Sequence, residues 1–343
     1  MKGSDGPRVF LRPPERHESV RPCYAVSSEI RLVLDRPSAE PVMALRFIAF
    51  LVFLTLGCAT RQADPLEAFL ADVPILFSDR KTVVARLDVI PHDNADRAER
   101  FRRLFREAGC DGEFLRDQFD GHSVHPNIVC TLPGESDEKI LVGAHFDKPR
   151  YGRGIVDNWT GAAMLPALYR ALSAHPRAHT YIFVGFTDAT TKMRTGSRYF
   201  AHHMSERGEL DAVKAVVNLK GLGLRGPAVW SKRSDPNLLL DLSSVGEAMN
   251  QEIRDVNFRR TESQVRLTGR REFGFIADAE SFRMYGVPTI TIHSFSGKTA
   301  RLVRESRHDI DEGLIDRRAY YSTYRLLAVY LGYLDQSLEA RRA

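Results

Sequence analysis

The stretch ILVGAHFD, residues 140–147, decides the fold of this chain. A continuous apolar run that ends in a histidine and a carboxylate reads as a strand covered on both faces whose carboxyl end carries chemistry. Working outward, apolar runs at 127–132, 181–186, 213–219 and 288–293 alternate with helical patterns at about 161–172, 197–203, 237–252, 280–285 and 319–334. A helix over 94–108 places Phe101, Leu104 and Phe105 on one face and stops at Gly109, and a short helix is expected over 65–77. Residues 113–119 pair with 127–132 as an antiparallel hairpin at one side. The pattern predicts a three-layer α/β/α sandwich with a mixed, mainly parallel sheet over residues 65–338.

The chain has 343 residues and a net charge of +5. No basic tract with interleaved aromatics stands out, which sets nucleic acid aside as a partner. Near the N-terminus, Met43-Ala-Leu-Arg46 precedes the apolar run 47–56 and then Gly57-Cys58-Ala59. One positive charge and a short apolar run fit a signal peptide over 43–58 rather than a membrane span, which needs roughly 20 residues. A small residue before Cys58 is similar to the lipobox of bacterial lipoproteins, although Thr55 stands where leucine is usual. This predicts export to a bacterial envelope or periplasm, a lipid anchor at Cys58, a linker over 59–64, and a start at Met43 that leaves 1–42 outside the mature protein. Cys110 and Cys130 then remain as a disulfide pair or as buried thiols.

A histidine and a carboxylate leaving neighbouring strand ends are what a zinc site uses, and His145 with Asp157 supplies both, while Asp147 can orient the imidazole. The order ILVGAHFD, GIVDNWTGAAMLPALYRAL, IFVGFTDATTKMRTGSRYF, AVVNLKGLG, DAESFRMYGVPTITIH and RHDID resembles the zinc-dependent exopeptidase family that includes di-zinc aminopeptidases, glutamate carboxypeptidases and glutaminyl cyclases. The resemblance implies metal-ligand positions at His145, Asp157 and His308. It also implies an orienting carboxylate at Asp147 and an outer acidic position at Asp278. Where the family has its adjacent glutamate pair, one the general base and one a ligand, this sequence has Thr190 and Thr191, and the next aspartate ligand is replaced by Lys220.

A threonine hydroxyl cannot do the work of a carboxylate base whose pKa lies near 4. An ammonium group cannot coordinate zinc while protonated and repels a dication. The expected function is therefore a catalytically impaired peptidase-like protein holding at most one zinc ion, with a peptide-like ligand or a protein partner in the old site. The alternative is an active exopeptidase or glutaminyl cyclase-like enzyme with a reduced site of His145, Asp157 and His308, drawing on Asp188 as the nearby carboxylate. His122, His125, His202, His203 and His293 have no carboxylate at ligand spacing. Gly221-Leu-Gly-Leu-Arg-Gly226 matches a dinucleotide-binding pattern, but Pro227 and a strand-like run follow where a helix would begin. No GxSxG elbow is present, and Ser197 reads as a helix cap.

Overall fold

The computed structural model describes residues 73–119, 123–148, 152–189, 195–256, 277–299 and 312–342. Cys58, Thr190, Thr191 and His308, together with the leader and linker read over 1–64, lie outside the described residues. The described residues belong to one compact unit, Ala63–Ala343.

Eight strands form one sheet in the order β1-β2-β4-β3-β5-β8-β6-β7. They are β1 (Leu115–Gln118), β2 (Asn127–Leu132), β3 (Ser136–His145), β4 (His179–Phe186), β5 (Val213–Lys220), β6 (Ala228–Val229), β7 (Arg254–Asp255) and β8 (Thr289–His293). The centre, β4-β3-β5-β8, is parallel. β2 runs antiparallel to β4 and β1 antiparallel to β2, while β6 lies antiparallel to β8. The mixed sheet and three layers are those expected from the alternation of apolar runs.

Successive side chains of a strand point to opposite faces, so the central strands feed two cores. Ile140, Val142 and Ala144 of β3 join Ala215, Val217 and Leu219 of β5 in the larger core. Over it lie α2 (Asn94–Ala108), α3 (Thr160–Leu172), α5 (Pro236–Ala248) and α7 (Arg317–Arg342). Leu141, Val216, Val184 and Phe186 point the other way, against Phe200 and Met204 of α4 (Thr195–Glu206) and Phe282 of α6 (Glu280–Arg283). His145 and Lys220 share the parity of this second face and stand at the carboxyl ends of adjacent strands.

Several elements differ from expectation. Residues 73–79 are not helical; the first described helix, α1, is Arg80–Ala85, started by the Asp79 carboxylate, which accepts from Thr82 N at 2.9 Å. α5 ends at Ala248 rather than 252, because Asn250 takes a left-handed conformation (φ 52°) and the chain turns toward β7. Ser197 does not cap α4. It lies inside the described helix Thr195–Glu206, and its hydroxyl lies 3.0 Å from that of Ser281, tying α4 to α6. Cys110 and Cys130 form a disulfide that joins the residue after the Gly109 cap of α2 to β2.

Candidate functional site

Register places the first pair of site residues. β3 and β5 are aligned with Gly143 opposite Asn218, so two residues farther on His145 ends beside Lys220. Asp157 arrives from an irregular turn, Ile155–Trp159, that leads into α3 and contains a cis peptide between Asp157 and Asn158.

The side chain of Asn158 fixes that turn to the end of β5. Its amide donates to Leu219 O at 2.8 Å, and its carbonyl accepts from Gly221 N at 2.8 Å. The Thr160 hydroxyl accepts from Leu222 N at 3.0 Å. Gly161 lets the helix approach this closely, since a Cβ there would meet the Asn158 amide at 2.5 Å. Asp157 is thereby held over the last residue of β5.

Four ionisable groups meet at this point. The Lys220 ammonium donates to Asp157 Oδ1 at 2.8 Å and lies 3.2 Å from His145 Nε2. His145 Nε2 is 3.0 Å from the same Asp157 oxygen, and His145 Nδ1 is 3.3 Å from Asp147 Oδ1. Both ring nitrogens therefore face carboxylates, the arrangement of an imidazolium donating twice. Burial and the Lys220 charge push the His145 pKa down, but the hydrogen bonds to Asp147 and Asp157 prevail and raise it to about 9. Burial works against ionisation of Asp157, yet the Lys220 charge and the His145 hydrogen bond hold its carboxyl well below the usual carboxylate range. Two cations and two carboxylates balance one another. Asp157 is the member that reaches solvent, with a side-chain exposure of 24%, against 9% for Lys220 and 2% for His145.

The family resemblance implies zinc at the His145–Asp157 pair, and the arrangement does not fit it. The Lys220 nitrogen sits within hydrogen-bond distance of both would-be ligands, offers no lone pair while protonated, and carries the sign of charge the metal would bring. Among the described residues no three His, Cys, Asp or Glu side chains gather closely enough to hold a metal. Asp147 accepts at 3.3 Å from Ala189 N, which links the loop after β4 to the cluster, and Asp188 beside it has a left-handed backbone (φ 50°). Asp278 is buried, its Oδ1 without a hydrogen bond among the described residues, and no ion pair joins it to the cluster.

His293 is stacked on Phe295 and packs at a tilt against Trp230, and burial drives its pKa down to about 3. His202 pairs with Glu206 on the surface. Sequence reasoning missed Asn158, although it directly follows Asp157, and Arg97, whose signal was a charged residue in line with the apolar stripe of Phe101, Leu104 and Phe105.

Solved structures share this architecture at low identity. The LapA aminopeptidase of Legionella pneumophila superimposes with a TM-score of 0.60 at 16% identity, covering 80% of this chain and 75% of that one. A glutaminyl cyclase from Macrostomum lignano gives 0.55 at 17%, covering 80% and 93%. Among curated proteins, vacuolar membrane proteases of Saccharomyces cerevisiae and Yarrowia lipolytica are 32% and 31% identical over 111 and 114 residues. The match covers 32% of this chain and 11% of either relative. These fungal relatives overturn the expectation of a bacterial envelope or periplasmic location. A short apolar run before a small residue and a cysteine is a low-information pattern, because any brief apolar segment produces much of it. No helix among the described residues is long and apolar enough to cross a membrane. The model of Peptidase family M28 matches residues 127–320, more than half of the sequence and the part that carries His145, Asp157 and Lys220, and the chain belongs to that family.

Proposed function

We propose that this chain is a non-hydrolytic member of the M28 peptidases that uses the carboxyl ends of its parallel strands to bind a peptide-like ligand. The observation that carries the reading is the Lys220 ammonium, 2.8 Å from Asp157 and 3.2 Å from His145, in the place where the family's chemistry calls for a metal. Hydrolysis in this family needs a Lewis-acidic ion and a carboxylate base. The first is opposed by the charge of Lys220, and the second has threonines at 190 and 191 in its place. The half-buried Asp157 still has a counter-charge, so the fold is kept while the reaction is lost.

The test is metal stoichiometry by plasma mass spectrometry after zinc loading and dialysis, beside turnover of aminopeptide and glutaminyl substrates. Wild type is expected to retain no stoichiometric zinc and to turn over neither substrate class. Lys220→Asp alone is expected to stay inactive because the threonines remain. About one zinc per chain, lost together with turnover in His308→Ala, would overturn the proposal.

A further inference from the structure

The two arms of the site come from separate segments. His145 ends β3 and Asp147 follows it, whereas Asp157 belongs to the turn Ile155–Trp159. One buried guanidinium joins these arms. Arg97, on the first turns of α2, is fully buried. Its Nη1 donates to Phe146 O at 3.0 Å and to Gly154 O at 3.0 Å, its Nη2 donates to Arg153 O, and its Nε donates to Pro91 O at 3.2 Å. Phe146 lies between His145 and Asp147, and Gly154 opens the turn that delivers Asp157. A single nitrogen atom thus bridges the two arms.

Three features reinforce the brace. The guanidinium lies over the Trp159 ring at 5.3 Å, beyond Asp157 in the same turn. Asn94, one helical turn before Arg97, makes a reciprocal pair with the backbone of Lys148: its amide donates to Lys148 O at 3.2 Å and its carbonyl accepts from Lys148 N at 2.9 Å. The arms also touch so closely that a Cβ on Gly154 (φ 58°) would meet the Lys148 Cβ at 2.4 Å and Arg97 Nη1 at 3.2 Å.

We infer that Arg97, seconded by Asn94, is the positioning residue of the site, setting the separation of the His145 and Asp157 arms and so closing the ion cluster around Lys220. A planar fork can serve several carbonyls at once where an ammonium cannot, so a lysine at this place does not substitute for it. Without the fork, buried carbonyls lose their donors and the arms separate to find water.

The inference concerns the same cluster as the functional reading, and the two fail separately. Brief acylation of the full chain with an amine-reactive acetate ester, followed by peptide mapping, compares Lys220 with the exposed Lys81. In wild type, Lys220 should label at least about tenfold more slowly than Lys81, as a group reached only by local opening does; equal rates would sink the ion pair itself. In Arg97→Met the Lys220 rate should rise toward that of Lys81, and in Arg97→Lys it should rise nearly as far. Leu334→Ala, which opens a cavity in the core under α7, supplies a control of similar thermal destabilisation in which Lys220 should stay protected. Lys220 as protected in Arg97→Met as in wild type, or released equally in Leu334→Ala, overturns the inference. Should Arg97→Met not fold, Arg97→Lys and Asn94→Ala decide it, and protection unchanged in both overturns it.

Discussion

Two histidines are buried between carboxylates at opposite ends of the sheet. His145 closes β3 at its carboxyl end, between Asp147 and Asp157. His179 opens β4 at the other end, its Nδ1 3.0 Å from Asp335 and its Nε2 3.6 Å from Glu138. The ingredients match, and the use of the carboxylates differs. Asp335 also accepts from the backbone N–H groups of Ala178 and His179, at 3.2 and 2.9 Å, so its charge serves to fasten α7 to the start of β4. Among the described residues Asp157 receives side chains only, from two groups on neighbouring strands, and keeps a quarter of its side-chain surface in solvent. A carboxylate that accepts from backbone donors is a structural clasp, whereas Asp157, held by side chains, keeps part of its surface open to solvent.

The largest effect should come from the clasp. Asp335→Ala leaves two backbone donors and an imidazole without their acceptor, and should lower unfolding free energy by about 4 kcal/mol in urea titrations. A loss no greater than that of Asp157→Asn would erase the contrast between the two ends. Asp157→Asn leaves Lys220 and His145 without a shared counter-charge, but partial exposure softens the cost to about 2 kcal/mol.

The third effect is read as a slope. The His145 pKa is raised from 6.5 to about 9, so its contribution to stability is fully present below pH 6.5 and is lost as pH rises through about 9. Asp157 is depressed, so its contribution is present above the usual carboxylate pKa near 4 and fades in acid. Urea midpoints of wild type should therefore fall between pH 6.5 and 9, and His145→Gln should flatten that fall; an unchanged slope would show that the imidazole is not doubly hydrogen-bonded. Least of all, His202→Ala, which removes a surface pair with Glu206, should leave the midpoint unmoved.

The apolar runs of 127–132, 140–145, 181–186 and 213–219 were legible as strands because each is covered on both faces and reads as a short, nearly continuous apolar segment. α2 was legible to the residue, with Asp93 before it accepting from Asp96 N at 2.8 Å and Gly109 after it in a left-handed conformation. Less legible were elements whose ends depend on neighbours: α5 stops early where the chain must return to β7, and residues 73–78, ahead of the Asp79 cap, are not helical. The expectation of a bacterial envelope failed because a few apolar residues carry little information about where a chain resides.

For the site, the sequence by itself determined that a histidine and two carboxylates, His145, Asp147 and Asp157, lie in the motifs that resemble the family's, since residue type at each position is a matter of covalent order. It determined that a cation, Lys220, and not an aspartate ends β5, and with it that the charge needed beside Asp157 is carried on the chain. Only the tertiary structure decided that the Lys220 nitrogen reaches both Asp157 and His145, that Asn158 rivets the Asp157 turn to β5, and that Arg97 holds the two arms together. These contacts join residues far apart in sequence through backbone carbonyls, which carry no sequence signature, and they exist only once the sheet register and the packing of α2 have brought those carbonyls to one place.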